Sequence, residues 1–184
     1  MGVHEAVIRP AVFLDRDGVI NAAVVRDGKP YPPPDMSAFE ILPGVAAALT
    51  DLRGAGYALV VVTNQPDLAR GKQTREVLDA MHARLRSELP LDAIYMCPHD
   101  DTAQCACRKP APGMLLDAAR DLDLDVPASF MVGDRWRDID AGIAAGCRTI
   151  FINRHYAERQ PARFDVEVGS LPEAAAWILA KGRT

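Results

Sequence analysis

Residues 12–21 read Val-Phe-Leu-Asp15-Arg16-Asp17-Gly18-Val-Ile-Asn21: a short apolar run that delivers two carboxylates, two residues apart, onto a glycine. In a strand alternate side chains point the same way, so Asp15 and Asp17 leave the strand's end on one side unless the chain has already begun to turn. Gly18 permits a sharp turn. A carboxylate so placed can attack phosphorus and form an aspartyl-phosphate while its neighbour handles the leaving group's proton. The plainer reading is an Asp-rich turn after an ordinary strand, and D-x-D-G alone does not decide between the two.

Outward from this stretch the chain alternates strands and helices. Residues 11–14, 57–62, 93–96, 130–132 and 149–152 are short apolar runs rich in branched residues and bounded by turn formers, as buried parallel strands are. Between them, residues 45–53 are rich in Ala and Leu, while Val77, Leu78, Met81, Leu85 and Leu89 recur at helical spacing. Residues 114–122 and 139–145 are further helix candidates, and Ser170-Leu-Pro-Glu173 is a capping-box pattern opening a last helix. The alternation predicts an α/β fold, a doubly wound Rossmann-like parallel sheet flanked by helices, with ligands beyond the carboxyl ends of the strands. Too few residues separate the elements for a separate cap domain, so 1–184 reads as a single domain. Loops must then select the substrate. Lys29-Pro-Tyr31-Pro-Pro-Pro34 would be stiff, either a wall near Asp15 or a surface connector.

Composition sets the context. The 184 residues are 49% apolar, enough for one substantial core. A net charge of −4 gives no nucleic-acid footprint, and the basic residues fall in separate segments: Arg70 and Lys72, Arg108 and Lys109, Arg135 and Arg137. No apolar stretch reaches membrane-spanning length, and MGVHEAVIRP lacks the pattern of a signal peptide. A cytoplasmic protein that binds neither nucleic acid nor membrane is expected; its oligomeric state stays open, a monomer being compatible with the sequence.

Four candidate segments fall at strand ends in a set order: Asp15 and Asp17; Thr63-Asn64-Gln65; Arg108-Lys109-Pro110; and Gly133-Asp134-Arg-Trp-Arg-Asp138. Each alone is weak. A Thr after a strand is commonly a helix cap, and a Lys before Pro is commonly solvated. Their joint occurrence resembles the haloacid dehalogenase superfamily of aspartate-nucleophile phosphatases. The resemblance implies that Asp15 is nucleophile and Mg²⁺ ligand, and that Asp17 is general acid/base and binds the metal through its carbonyl. It further implies that Thr63 donates to the phosphoryl oxygens, Lys109 neutralises them, and Asp134 completes the magnesium site. Physics agrees, because a phosphate dianion repels a carboxylate until a hard cation and a lysine offset its charge. Asp138, one helical turn beyond Asp134, reads as an orienting group.

Cys97-Pro-His99 and Cys105-Ala-Cys107 place three thiols and an imidazole in residues 97–107. That donor set matches a closed tetrahedral Cys₃His site, so a structural zinc is expected, with free surface thiols as the alternative. The loop would pre-organise Arg108 and Lys109, which follow its last ligand. Cys147 reads as a small buried apolar residue.

A zinc loop inside the phosphatase pattern resembles the superfamily branch that holds the heptose 1,7-bisphosphate 7-phosphatases and the histidinol-phosphate phosphatases. Thr63-Asn64-Gln65 with Ala69-Arg70-Gly71, and Pro112-Gly113-Met114-Leu115-Leu116, lean to the heptose enzymes. The compact zinc loop and Gly133-Asp134-Arg135 lean to histidinol phosphate, and Pro66-Asp67 departs from the Ser-Gly pair of the heptose enzymes. The reading adopted is removal of the 7-phosphate of a heptose bisphosphate, with Asn64 and Arg108 as substrate-binding residues. Its alternatives are histidinol phosphate, a macromolecular phosphate (nucleic-acid 3′-phosphate or phosphoprotein), or mere phosphate binding; the last would not need a second aspartate.

Overall fold

The computed structural model describes residues 8–181, so most of the segment read for a signal peptide lies outside the described residues. Six parallel strands form one sheet: β1 (Ala11–Leu14), β4 (Ala58–Asn64), β5 (Ala93–Cys97), β6 (Phe130–Gly133), β7 (Arg148–Ile152) and β8 (Val166–Val168). Between β1 and the first helix lies a separate antiparallel hairpin, β2 (Val24–Arg26) and β3 (Lys29–Tyr31). The helices are α1 (Val45–Gly54), α2 (Arg75–Glu88), α3 (Gly113–Asp121), α4 (Trp136–Ala145) and α5 (Leu171–Lys181). The sheet order is β5-β4-β1-β6-β7-β8, as expected for a doubly wound sheet.

Both faces of the sheet are covered, which is why β1 and β4 are continuous apolar runs. Val12, Leu14, Leu59 and Val61 pack toward α1, α2 and α5, whereas Ala11, Phe13, Val60 and Val62 pack toward α3. The helical spacing of Leu78, Met81 and Leu85 puts one buried stripe of α2 on the first face. After β1 the chain builds outward through β4 and β5, then returns to place β6 on β1's other side. This reversal opens a crevice beyond the carboxyl ends of β4, β1 and β6.

Several boundaries differ from the sequence reading for local reasons. β4 runs on to Asn64 because its pairing with β5 continues through Thr63 with Met96 and Asn64 with Cys97. α4 starts at Trp136, because the Asp138 carboxylate accepts the Arg135 N–H at 3.0 Å and closes the first turn. Part of the Pro-rich stretch is strand, since Asp27 and Gly28, at φ 50° and 72°, make the turn a two-residue hairpin needs. The three-residue edge strand β8 is too short to show a period. At α5 half of the expected box forms: the Glu173 N–H donates to Ser170 Oγ at 3.4 Å, whereas the Glu173 carboxylate accepts the Ser170 hydroxyl and the Gly169 N–H in place of the Ser170 N–H. Among the described residues no helix is long and apolar enough to cross a membrane.

Candidate active site

β1 ends in a tight loop closed by the Arg16 carbonyl, which accepts the Ile20 N–H at 2.8 Å, and by the Gly18 N–H donating to Asn21 O at 2.7 Å. Gly18 sits at φ 86°, and a Cβ there would lie 1.8 Å from Asp134 Oδ2, so glycine is required twice over. Asp15 stays at the ladder's end, its N–H donating to Val132 O at 3.0 Å. Asp17 turns aside. Arg16 Nη2 reaches both its oxygens at 3.0 Å, Asn21 Nδ2 donates to Oδ1 at 2.9 Å and Gln65 Nε2 to Oδ2 at 2.8 Å. Arg16 is fully buried, with His82 Nε2 3.3 Å from its Nη1 and the Phe39 ring beside it. The same Gln65 amide donates to Thr63 Oγ1 at 2.9 Å.

Lys109 enters from the loop before α3 and is buried. Its Nζ lies 2.8 Å from Asp15 Oδ1, 2.6 Å from Asp138 Oδ1 and 2.7 Å from the Val62 carbonyl. Asn64 holds the lysine's backbone from both sides, Nδ2 donating to Lys109 O at 3.0 Å and Oδ1 accepting Lys109 N–H at 3.1 Å. The Asn64 amide is thus engaged with the protein, although the residue lines the cleft.

Asp15, Asp134 and Asp138 each offer an oxygen within 4.8 Å of the others. Burial first, then Asp138, raises Asp15 to about 6 against Lys109's opposing pull. Burial and then Asp15 hold Asp134 well above the carboxylate range. Burial would depress the Lys109 ammonium, but Asp138 and Asp15 outweigh it and raise its pKa. One ammonium for three buried carboxylates leaves negative charge in need of a cation. Both Asp138 oxygens are engaged, Oδ1 by Lys109 and Oδ2 by the Arg135 N–H. Asp134 Oδ1 is buried and has no hydrogen-bond partner among the described residues. An all-oxygen pocket with an orphaned carboxylate oxygen fits a hard divalent cation held by Asp15 and Asp134.

The four predicted thiol and imidazole donors converge. Cys97, Cys105 and Cys107 have their sulfurs 3.2, 3.4 and 3.6 Å apart, and His99 Nδ1 lies 3.4 and 3.5 Å from two of them. Ligands at tetrahedral Zn–S bond lengths would stand about 3.8 Å apart, a few tenths wider than these thiols. The donor set fits a soft metal. Burial, then the Cys107 thiol, pushes Cys97 up to about 12, which a bound cation would reverse. Cys147 is buried in the core, as read.

Asp15 and Lys109 floor a cleft of about 380 Å³, walled on one side by Lys29, Pro30, Tyr31 and Pro32 of the hairpin. Its mouth gathers arginines from three segments on one carboxylate. Asp101 Oδ1 accepts from Arg108 at 3.0 Å and Arg137 at 2.9 Å, and Oδ2 lies 3.4 Å from Arg70. The structure therefore unites Asp15, Asp17, Thr63, Asn64, Arg108, Lys109, Asp134 and Asp138. The sequence reading gave no role to Arg16 and Gln65, although both stand inside segments it singled out, and it missed His82, Asp101 and Tyr156. Of these three only Asp101, inside the Cys/His loop, carried a signal that could have found it.

The HAD-hydrolase-like family model matches residues 106–167. The chain is 39% identical over 182 residues to the D-glycero-beta-D-manno-heptose-1,7-bisphosphate 7-phosphatase of Salmonella typhi, covering 92% of this chain and 89% of that relative. It is 41% identical over 182 residues to the enzyme of that name in Escherichia coli K12, covering 92% and 88%. Among solved structures it matches, with TM-score 0.79 and 34% identity, the D,D-heptose 1,7-bisphosphate phosphatase of B. bronchiseptica complexed with magnesium and phosphate, covering 94% of this chain and 99% of that one.

Proposed function

The chain belongs to the family of the D-glycero-beta-D-manno-heptose-1,7-bisphosphate 7-phosphatases, within the HAD-like phosphatases, and from that membership we propose that it removes the 7-phosphate of a heptose 1,7-bisphosphate. Asp15 attacks phosphorus and forms an aspartyl-phosphate, and the departing alkoxide takes a proton from Asp17. Water then attacks the acyl phosphate with Asp17 as base, freeing inorganic phosphate and Asp15. To serve in this way, the Asp17 carboxyl exchanges one of its bonds to Arg16, Asn21 or Gln65 for the leaving oxygen. Lys109 and the Thr63 hydroxyl face the transferred group. Magnesium held by Asp15, Asp134 and the Asp17 carbonyl would supply the countercharge that lets one anion approach another. Zinc at Cys97, His99, Cys105 and Cys107 would fix the loop that carries Arg108 and Lys109.

One observation carries the choice of substrate: the cleft has cationic groups at both ends, Lys109 at its floor and Arg70, Arg108 and Arg137 at its mouth. A second phosphate satisfies the outer group, whereas the ammonium of histidinol phosphate meets three guanidiniums that Asp101 and Asp67 neutralise only in part. The test compares phosphate release from heptose 1,7-bisphosphate, histidinol phosphate and a small generic ester with Mg²⁺, in the wild type and in Arg108→Ala. A lost charge-assisted bidentate contact is worth about 1.5 to 3 kcal/mol, so kcat/KM for the bisphosphate is expected to fall about ten- to a hundred-fold, and far less for the generic ester. Equal losses on both, or a wild-type preference for histidinol phosphate, would overturn the assignment.

A further inference from the structure

Residues 153–158, the loop after β7, carry no motif, yet they touch the site at four points. Arg154 Nε donates to the Gly18 carbonyl at 2.9 Å, Tyr156 Oη donates to Asp134 Oδ2 at 2.9 Å, and the Ala157 N–H donates to Gly28 O at 2.8 Å. Glu158 accepts from Arg135 at 2.9 and 2.6 Å. One loop thus ties together the turn after β1, the carboxylate after β6 and the hairpin that walls the cleft. The Tyr156 hydroxyl is packed so closely that a Cβ on Gly18 would stand 2.9 Å from it. The two oxygens of Asp134 are therefore unequal: Oδ2 is held by the phenol, and Oδ1 is the buried atom without a partner among the described residues.

We propose that Tyr156 is a positioning residue for the divalent cation: by gripping Oδ2 it fixes the Asp134 carboxylate with Oδ1 turned to the metal. A carboxylate wedged beside Asp15 and Asp138 is repelled by both and, unheld, turns away when no cation is bound. The phenol offsets that tendency in advance, so less reorganisation opposes metal entry. This inference rests on the cation site proposed at Asp15 and Asp134, and it assigns the loop after β7 a part in metal affinity.

The test is calorimetric titration of Mg²⁺ into magnesium-free wild type, Tyr156→Phe and Ser129→Ala. Ser129 is a control: its buried hydroxyl accepts the Ala11 N–H at 2.8 Å and donates to the Asp125 carbonyl, away from the carboxylates of the cation site. In Tyr156→Phe the magnesium dissociation constant is expected to rise about ten-fold or more, while kcat at saturating magnesium stays within about two-fold of wild type. Ser129→Ala is expected to lower the melting temperature and leave magnesium affinity unchanged. Arg154→Gln, which loosens the same loop without touching Asp134, gives a second reading should the first variant fail to fold, and is expected to weaken magnesium by a smaller factor. Unchanged affinity in the loop variants, or equal weakening in Ser129→Ala, overturns the proposal. A wild type with no magnesium affinity overturns the cation site and this inference together.

Discussion

Asp15 is ionised at neutral pH only against the protein's resistance. Its pKa is raised from 3.8 to about 6 by burial, then by Asp138. A folded pKa above the unfolded one means that this group favours folding below about pH 3.8, and that the benefit is lost as pH rises through about 6. In metal-free protein at pH 7.5 its charge opposes folding. Asp15→Asn removes that charge at nearly constant shape, so turnover is expected to vanish while the melting temperature in EDTA stays at or above wild type. Retained phosphate release would sink the nucleophile assignment, and a clearly lower melting temperature would mean that the Lys109 pair outweighs the repulsion. The carboxylates were legible because strand-end position is a local property. Arg16 was not, since an arginine between two aspartates reads as solvated surface until tertiary packing buries it against Phe39 and His82.

The Cys/His loop and the Arg108-Lys109 pair that follows it act as one element. The Gly113 N–H opening α3 donates to Ala106 O at 3.0 Å, and a Cβ on Gly113 would meet that oxygen at 2.2 Å, so loop and helix dock with no room for a side chain. Asn64 clamps Lys109, two residues past Cys107, to the end of β4. Cys105→Ser is expected to lower zinc content and melting temperature together and to reduce kcat, because Lys109 loses its anchorage on one side. EDTA followed by Mg²⁺ is expected to restore full activity with zinc still bound, since thiolates release zinc far less readily than carboxylates release magnesium. Purified untagged protein without zinc by elemental analysis would refute the Cys₃His reading. The hairpin was not read from the sequence, where residues 29–34 stood as a stiff wall or connector. Asp27-Gly28 is a strong turn signal, but Pro30 and the prolines after Tyr31 disfavour strand, and only the edge position, where no further ladder bond is needed, lets Pro30 pair with Val25.

Stability against acid belongs to the whole molecule, through His82, which joins α2 to the loop after β1. Burial, then Arg16, lowers its pKa from 6.5 to about 4, with Arg86 adding to the effect and Asp17 and Asp79 opposing it. A folded pKa below the unfolded one means that the unfolded chain binds the extra proton first. His82's contribution is complete above about pH 6.5 and is lost as pH falls toward about 4. The melting-temperature difference between wild type and His82→Gln is expected to shrink across that interval, and a constant difference would remove His82 from the acid response. At this scale the division between chain and fold is plain. The sequence by itself determined the doubly wound sheet, the strand-end carboxylates and the Cys/His loop, because apolar strand runs, turn residues and ligand spacing are short-range properties. Arg70, Arg108 and Arg137 stand in segments that share no local pattern, and only the packing of loops over the sheet's carboxyl edge brings them onto Asp101. Tyr156 reaches Asp134 in the same way, across 22 positions of chain. Such contacts are set by the global path of the backbone, so the tertiary structure alone could decide which groups stand at the mouth of the cleft and how the Asp134 carboxylate is aimed.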